Sequence, residues 1–393
     1  MRAERTPLPE EKGFMAEQGH KAEKVRVCVR RATYDNIAEL LPGMMESLDL
    51  RGWFEGLRGK TVFLKPNMIG IFPPERHATT HPALVAGLVR LFSDAGARVT
   101  VGDNCGVGGY GLNGKVGMIT GIADAAGGCY RNVGRDILHV PLESQFAEML
   151  PVSREMMEAD VLVSVPKMKT HSLTLVTGAV KNMFGLVAGR GKAQAHAAAP
   201  RGRDFGRLLA DIFALRVPDL SVMDGIVGME GNGPTSGRPI AAGAVLASID
   251  AVALDAVMCR IMGVAAHRVH HLREAAGLGL GILDMGRIEL LGDHIGRVKF
   301  RLPAASRLGG FGARFLYPLA FRWLSRSRLV LDEKLCRRCG ICVEGCPSGA
   351  LSMEDYPLID EDKCIDCLCC DELCPENAWR LKGLVGLMQR RNR

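Results

Sequence analysis

The sequence predicts an α/β fold, a mostly parallel sheet with helices on both faces. Short apolar runs recur along the chain, each followed by polar residues and then by a helical pattern of apolar residues. Strands that read as continuous apolar runs are typical of parallel sheets whose two faces are both covered. The composition agrees, because 47 glycines and only 5% aromatic residues are typical of folds with tight strand-to-helix turns.

Six apolar runs predict strands; two helical patterns lie between them, and a third follows the last run. The predicted strands are Val25–Val29, Thr61–Leu64, Arg98–Val101, Val161–Val165, Leu220–Met223 and Ala244–Ser248. The predicted helices are Pro82–Phe92, Phe205–Leu215 and Ala251–Met262. Thr80 or His81 would cap the first helix. Residues 102–128 are expected to form a loose glycine-rich stretch, and the isolated G-x-G-x-x-G within it does not indicate a dinucleotide site.

Polar residues follow five of these runs at the point where each strand should stop. Ligands of parallel sheets bind beyond the carboxyl ends of the strands, so these side chains should face one crevice. For any one of them, a role as a turn former or helix cap is an equal alternative. The predicted crevice residues are Lys65, Asn67, Asp103, Asn104, Lys167, Lys169, His171, Asp224 and Asp250.

The stretch 167–185 has the composition of an anion site. It holds three lysines, one histidine, three threonines and one asparagine within sixteen residues. A helix that begins at Gly178 would offer its amides and Lys181 to a phosphate or carboxylate, and a desolvated lysine could act as an acid or form a Schiff base. The alternative is a solvated lysine face. The catalytic candidates are Lys167, Lys169, His171, Lys181 and Asp224; the ligand-binding candidates are Lys65, Asn67, Asp103, Asn104, Thr177, Asn182 and Glu230.

A second stretch, residues 224–234, places three glycines around an acid and an amide. It predicts a tight loop whose backbone approaches a ligand. Asp224 and Glu230 could form a metal-binding or general-base pair within it. A plain glycine-rich turn is the alternative.

Eight of the thirteen cysteines form two C-x₂-C-x₂-C-x₃-C-P runs, beginning at Cys336 and Cys364. This is the run of bacterial two-cluster ferredoxins, in which the fourth cysteine ligates the other cluster. The spacing predicts two [4Fe–4S] clusters, although four-cysteine zinc sites are an alternative. One cluster is assigned to Cys336, Cys339, Cys342 and Cys374, and the other to Cys364, Cys367, Cys370 and Cys346.

The domains follow from composition and charge. Residues 1–24 are predicted to be a flexible tail without the apolar core of a signal peptide, residues 25–295 the α/β domain, and residues 331–379 an α+β ferredoxin domain. Residues 331–378 carry a net charge of −8 and the rest of the chain +15. The linker 296–330 has eight bases and no acids, and the tail 380–393 is basic again.

The linker is expected to strap the ferredoxin domain onto the body, or alternatively to contact a membrane surface or a partner protein. No nucleic-acid motif accompanies the positive charge, so nucleic acid is not expected as a partner. No run of eighteen apolar residues exists, so no transmembrane segment is expected. We expect a cytoplasmic location, where the remaining cysteines stay reduced.

Several motifs together resemble domain-of-unknown-function family 362, whose members are often fused to a bacterial-type ferredoxin. The resemblance covers about residues 25–265 and the ferredoxin domain. It implies an iron–sulfur protein of prokaryotic type and names no substrate. The motifs are Lys65–Asn67, Thr80–Pro82, Gly102–Asp103, Pro166–His171, Thr177–Asn182 and Asp224–Pro234.

Three functions are compatible with these features. The first is a redox enzyme in which the ferredoxin domain exchanges electrons with a small anionic substrate in the crevice. The second is an electron-transfer adaptor that binds a redox partner protein and does no chemistry of its own. The third is a non-redox enzyme with structural clusters. We rank them in this order.

Overall fold

The computed structural model describes residues 24–106, 110–189, 191–303, 329–346, 348–364, 369–376 and 378–381. Residues 1–23 of the predicted tail 1–24, most of the basic linker, the last twelve residues and Cys367 lie outside these ranges. Among the helices that are described, none is both long and apolar enough to cross a membrane.

Within the part of the chain that the structure describes, nine strands of the body form one sheet. Seven of them follow the order β11–β1–β10–β9–β6–β2–β3; β7 pairs with β9, and β8 with β7. The remaining two, β4 and β5, form a separate hairpin. The strands are β1 (Val25–Arg31), β2 (Thr61–Pro66), β3 (Arg98–Val101), β4 (Ile137–Pro141), β5 (Met149–Ser153), β6 (Val161–Val165), β7 (Lys167–His171), β8 (Leu175–Val176), β9 (Leu220–Glu230), β10 (Arg238–Ser248) and β11 (Ile288–Gly292).

The predicted, mostly parallel sheet is confirmed. Strand β2 runs parallel to β3 and β6, β9 runs parallel to β6 and β7, and β1 runs parallel to β11. Strand β10 is antiparallel to β9 and β1. It is reversed because it follows β9 through a short hairpin, whereas parallel neighbours need a longer crossover.

Helices cover both faces of this sheet, as predicted. On β2, Phe63 belongs to one apolar core, whereas Val62 and Leu64 belong to the core on the opposite face. The first face is packed by α7 and α9 to α11, and the second by α1 and α3. The body helices are α1 (Ile37–Ser47), α2 (Arg51–Glu55), α3 (Pro82–Asp94), α4 (Tyr110–Ile119), α5 (Ile122–Ala125), α6 (Arg154–Glu158), α7 (Ala179–Asn182), α8 (Gly191–Ala198), α9 (Gly202–Leu215), α10 (Ala251–Met262) and α11 (His270–Gly277).

The structure shows which residue caps α3 and whether Asp250 is a helix cap, two points that the sequence left open. His81 caps α3, because its Nδ1 accepts a hydrogen bond from the Ala83 amide at 3.2 Å. Asp250 caps α10 by accepting from the Ala253 amide at 2.8 Å, and it also accepts from the Ile282 amide. For Asp250 the cap alternative is therefore correct, and its side chain is committed to this end of α10.

The prediction of a loose stretch at residues 102–128 is wrong, because α4 and α5 lie within it. Glycine lowers helix propensity, which hid these helices from the sequence pattern. Packing against Tyr130 explains why a glycine stands at position 117. A Cβ on Gly117 would lie 2.5 Å from Cζ of Tyr130, whose hydroxyl donates to the Asn113 carbonyl.

The C-terminal residues form a small α+β domain. Its four strands pair as two antiparallel ribbons. One ribbon joins the first and last strands of the domain, and the other joins the two strands that lie between them in sequence. The elements are β12 (Leu329–Leu331), α12 (Ile341–Glu344), β13 (Leu351–Met353), β14 (Pro357–Ile359), α13 (Cys369–Leu373) and β15 (Trp379–Leu381).

Candidate functional site

A buried ion pair joins the carboxyl ends of β2 and β3. Lys65 Nζ lies 2.8 Å from Asp103 Oδ1 and donates to Asn182 Oδ1 at 3.2 Å. The other oxygen of Asp103 accepts from the Met68 amide at 2.9 Å. Both charged side chains are at most 5% exposed. Two of the predicted crevice residues, Lys65 and Asp103, thus meet a ligand-binding candidate, Asn182, at one place, as parallel strand ends should.

Asn67 and Lys169 extend this network. Lys169 Nζ donates to Asn67 Oδ1 and to the Ala78 carbonyl, each at 2.7 Å. The Asn67 amide group lies 3.4 Å from Asn182 Oδ1. Asn182 in turn donates to the Lys65 carbonyl at 3.1 Å. We call Lys65, Asn67, Asp103, Lys169 and Asn182 the crevice network.

Lys192 adjoins the crevice network and was missed by the sequence reasoning. Its Nζ donates to the Asn104 carbonyl, while the Asn104 side chain donates to the Gly185 carbonyl at 3.0 Å. Lys192 is 5% exposed, and burial lowers the pKa of its ammonium to about 8. The available signal was spacing, since Lys192 and His196 are four apart on α8 and therefore share a face.

Lys167 and Asp224 form a second buried ion pair. Lys167 Nζ lies 2.7 Å from Asp224 Oδ2, with both side chains 0% exposed. Tyr34 donates to Asp224 Oδ1 at 3.1 Å and accepts from Lys167 Nζ at 2.9 Å. Burial, followed by the charge of Asp224, raises the pKa of the Tyr34 hydroxyl, which stays protonated. The His81 ring stacks on Tyr34 with 3.6 Å between centroids.

The predicted tight loop at residues 224–234 is wrong for its first seven residues, because Asp224–Glu230 lie in β9. Two of its glycines provide space for neighbouring side chains instead of turning the chain. A Cβ on Gly225 would lie 2.6 Å from Cε of Met168, and one on Gly228 would lie 3.0 Å from the Phe300 ring.

The predicted pairing of Asp224 with Glu230 is wrong as well. Glu230 accepts from the Arg301 amide at 2.8 Å, and its carboxylate lies 3.7 Å from the Arg301 guanidinium. Asp224 is bonded to Lys167 and Tyr34. Five residues of continuous strand lie between Asp224 and Glu230, and the two carboxylates have different partners.

The predicted helix start after Gly178 is correct, but its amides hold a carboxylate of the chain itself. The amides of Ala179 and Val180 donate to Asp255 Oδ1 and Oδ2 at 2.7 and 3.0 Å. Burial raises the pKa of Asp255 to about 7, against the effect of these two bonds. The predicted anion site at these amides is therefore corrected. Thr177 supports the neighbouring strand, donating to the Lys167 carbonyl at 2.9 Å.

Lys181 lies on α7 and His171 on β7. They group with two histidines that the sequence did not single out, His196 and His271. Burial and then the charge of Lys181 lower the pKa of all three histidines. We call Lys181, His171, His196 and His271 the histidine cluster.

In the small domain, four cysteines border one pocket: Cys336, Cys339, Cys342 and Cys374. This is the crossed set predicted from spacing, three cysteines of the first run and the last of the second. Backbone amides point at the sulfurs, from Arg338 to Cys336 at 3.4 Å and from Ala378 to Cys374 at 3.2 Å. Soft thiolates stabilised by amide donors suit an iron–sulfur cluster, so these residues fit the group.

The second set is described in part, since Cys367 lies outside the described residues. Cys346 Sγ accepts from the Ala350 amide at 3.2 Å, as a ligand thiolate would. Cys346 and Cys370 pack against Cys342 and Trp379 in the core of the domain. Across the described residues, no three His, Cys, Asp or Glu side chains converge on a position for a single metal ion.

Helix α13 of the small domain contacts the body next to the crevice. Leu373 packs on Gly106 so closely that a Cβ there would lie 2.9 Å from Leu373 Cδ2. Asp371 accepts a hydrogen bond from Ser236 at 3.3 Å, in the turn between β9 and β10. Gly106 lies two residues after Asn104, whose carbonyl holds Lys192. The helix that carries Cys370 therefore adjoins a loop of the crevice.

Comparisons with known proteins agree with this architecture. A family model described as 4Fe-4S dicluster domain matches residues 335–378, and this domain makes the chain an iron–sulfur electron-transfer protein. A second model, described as domain of unknown function (DUF362), matches residues 62–260, just over half of the chain. The chain belongs to the DUF362 family.

Two individual proteins resemble the chain. The thylakoid-associated protein sll1697 of Synechocystis sp. (strain ATCC 27184 / PCC 6803 / Kazusa) is 35% identical over 213 residues, which are 52% of this chain and 63% of that protein. The chain thus spans less than two thirds of this relative's length. The lactate racemase apoprotein of Thermoanaerobacterium thermosaccharolyticum is 12% identical, with a TM-score of 0.38 over 62% of this chain and 58% of that one.

Proposed function

We propose that the small domain binds two [4Fe–4S] clusters and exchanges electrons with a small anionic substrate in the crevice, which would make the protein an oxidoreductase. The contact of α13 with Gly106 and Ser236 is the observation that carries this proposal. It sets a cluster-bearing helix against the loop that follows Asp103 and Asn104. Clusters that were only structural would not need to adjoin these residues.

The charge of the crevice supports an anionic substrate. Asp103 pairs with Lys65, but no carboxylate of the described residues lies at ion-pair distance from Lys192. The charge of Asp103 favours the Lys192 ammonium, but Lys65 shares this carboxylate, so the cost of the buried charge is only partly compensated. An anionic group bound beside Lys192 would offset that cost, whereas a cation would increase it.

Reoxidation of the reduced clusters tests the proposal. The anaerobic, cluster-loaded protein is reduced, and the absorbance of its clusters is followed after small carboxylates or phosphate esters are added. We expect at least one such compound to reoxidise the clusters at a rate that saturates with its concentration. Failure of every anionic compound, together with rapid electron transfer to a partner protein, would favour the adaptor function.

A pair of variants tests the role of α13. Leu373→Asp should separate α13 from Gly106 and slow substrate-dependent reoxidation, with the iron content unchanged. The matched control is Leu358→Asp, since Leu358 is 48% exposed on the same domain. Equal rates in the two variants would show that electrons do not pass by this contact.

The adaptor function has one specific observation in its favour. The curated relative is named for its association with thylakoids, which are membranes, and the linker 296–330 of this chain carries eight bases and no acids. A basic segment of this kind would bring the protein to an anionic membrane or a partner. Flotation of the full chain with anionic and with neutral liposomes tests this candidate, and the cytoplasmic location predicted from the sequence with it.

A further inference from the structure

The histidine cluster brings together residues from four elements. Its members lie on β7, α7, α8 and α11, and the three histidines are at most 4% exposed. Two phenylalanine rings enclose it. The His196 ring stacks on Phe205 at 4.3 Å and meets Phe184 edge-on at 5.5 Å, and Lys181 Nζ lies 5.9 and 6.0 Å from the centroids of Phe184 and Phe205. The cluster is therefore a polar centre with apolar walls.

The three imidazoles are neutral at pH 7. The pKa of His196 and that of His271 are lowered to about 3, and that of His171 falls well below its usual value. Each neutral ring carries one N–H donor. For His171 the hydrogen bonds assign that proton, because its Nδ1 accepts the Leu173 amide at 3.1 Å and the Thr174 amide at 3.3 Å. Its donor is therefore Nε2–H.

Two of these rings have polar atoms that lack a hydrogen-bond partner among the described residues. Both ring nitrogens of His271 are buried in this way, as is Nδ1 of His196. Buried polar groups of native proteins are nearly always satisfied, by protein, by water or by a ligand. The cluster thus has hydrogen-bonding capacity that the described residues do not use.

The electrostatics of the cluster select the sign of its ligand. The charges that act on the three histidines come from Lys181, Lys169 and Lys192 and from the other histidines, including His270; no carboxylate is among them. The carboxylate of Asp255, a residue of α10, accepts hydrogen bonds from the first two amides of α7. A group of N–H donors in a positive potential suits an oxyanion and repels a metal ion.

We propose that the histidine cluster binds a carboxylate or phosphate group through the ammonium of Lys181 and the imidazole N–H groups of His196 and His271. This site would hold the anionic substrate of the proposed function, and the proposal rests on that function for the ligand's role as a substrate. Binding of the anion itself requires no electron transfer. Lys192 Nζ lies 5.8 Å from the centroid of the same Phe184 ring that Lys181 approaches. A ligand anchored at Lys181 would therefore extend past Phe184 toward Lys192 and the Asn104 loop.

Calorimetric titration of the cluster-loaded full chain tests this site. Inorganic phosphate, acetate and succinate are the probes, each compared with chloride at equal ionic strength. We expect one probe to bind, and Lys181→Met and His271→Phe to weaken its binding roughly tenfold or more, because each removes a hydrogen bond to a charged group. Binding of phosphate alone would identify a phosphate site, and binding of either carboxylate alone a carboxylate site.

The matched control is His267→Asn, since His267 is exposed just before α11; its binding should equal that of the wild type. His196→Phe provides a second variant if His271→Phe does not fold, because its ring already stacks on Phe205. The proposal is overturned if no probe binds the wild type and His271→Phe melts at a higher temperature than the wild type. The polar ring nitrogens of His271 would then serve no ligand and would at most bind water. Binding without reoxidation of the clusters would support the site and contradict the proposed redox function.

Discussion

At the scale of single residues, the Lys167–Asp224 ion pair makes the sharpest prediction about stability. Both side chains are 0% exposed, and Tyr34 is the neighbour that bonds to both. Lys167→Met would leave the Asp224 carboxylate buried beside Tyr34 without its counter-ion. We expect a loss of about 3–5 kcal/mol in the free energy of unfolding, measured by urea denaturation.

The double variant Lys167→Met with Asp224→Leu should be more stable than Lys167→Met alone, because it removes both charges. Arg90→Met is the matched control on an exposed pair, since Arg90 and Asp94 are 80% and 73% exposed. It should change the stability by less than about 1 kcal/mol. A similar loss of unfolding free energy in Arg90→Met and Lys167→Met would show that burial of the ion pair does not determine the cost.

Two histidines predict how stability depends on pH. In the folded protein the pKa of His196 and that of His271 are about 3, lowered by burial and then by Lys181. The unfolded chain therefore binds more protons between about pH 3 and 6.5, so stability is lost as the pH falls below 6.5. Each histidine contributes a slope of about 1.4 kcal/mol per pH unit.

His271→Phe should therefore reduce the slope of the unfolding free energy, measured in urea at pH 7, 6 and 5. His267→Asn should leave the slope nearly unchanged, because His267 is exposed in the folded protein. An unchanged slope in His271→Phe would show that this ring is not held neutral.

The sequence identified most side chains of the crevice and could not assign their partners. Lys65, Asn67, Asp103, Lys169 and Asn182 do meet, because parallel strands present their carboxyl ends at one edge. Lys167 and Asp224 instead neutralise each other within the sheet. Whether a lysine faces a ligand or a carboxylate depends on contacts between residues far apart in sequence, which a local pattern does not contain.

At the scale of elements, α7 and the turn after it show why glycines matter at this site. A Cβ on Gly178 would overlap Asp255, and one on Gly185 would overlap Asp103 and Lys65. Both glycines thus let the backbone approach a charged side chain. The sequence located the helix start at Gly178, but the carboxylate that occupies it comes from α10, 75 residues and more away.

Gly185→Ala tests this close approach. The added methyl group would displace the Lys65–Asp103 pair, and overpacking of this kind costs about 1–3 kcal/mol. Gly114→Ala is the control, because Gly114 lies in α4 with nothing within 4 Å of the added Cβ. It should be neutral or stabilising by up to about 1 kcal/mol. Thermal unfolding of both variants distinguishes them, and equal behaviour would exclude a close approach at Gly185.

At the scale of the whole molecule, the order of domains was readable from the sequence because each has its own local signature. The cysteine runs define the C-terminal domain, and the apolar strands define the body. How the two pack was not readable. The charge difference between them suggested that the linker straps the small domain onto the body, and this stays a prediction because most of the linker lies outside the described residues. The contacts seen include an apolar one at Leu373 and a hydrogen bond at Asp371, which no local pattern indicated.

The cluster domain makes the last prediction. Two cubanes require about eight iron and eight sulfide per chain. Cys374 borders the pocket of the first cysteine run although it belongs to the second, so Cys374→Ala should disturb the cluster held by Cys336, Cys339 and Cys342. Cys369 is buried in α13 but breaks the spacing of both runs, so Cys369→Ser should retain the full content. Iron and sulfide analysis with electron paramagnetic resonance of the reduced protein checks each variant. Stoichiometric zinc without sulfide in the wild type would contradict the assignment, and loss of both clusters in Cys369→Ser would contradict the ligand set.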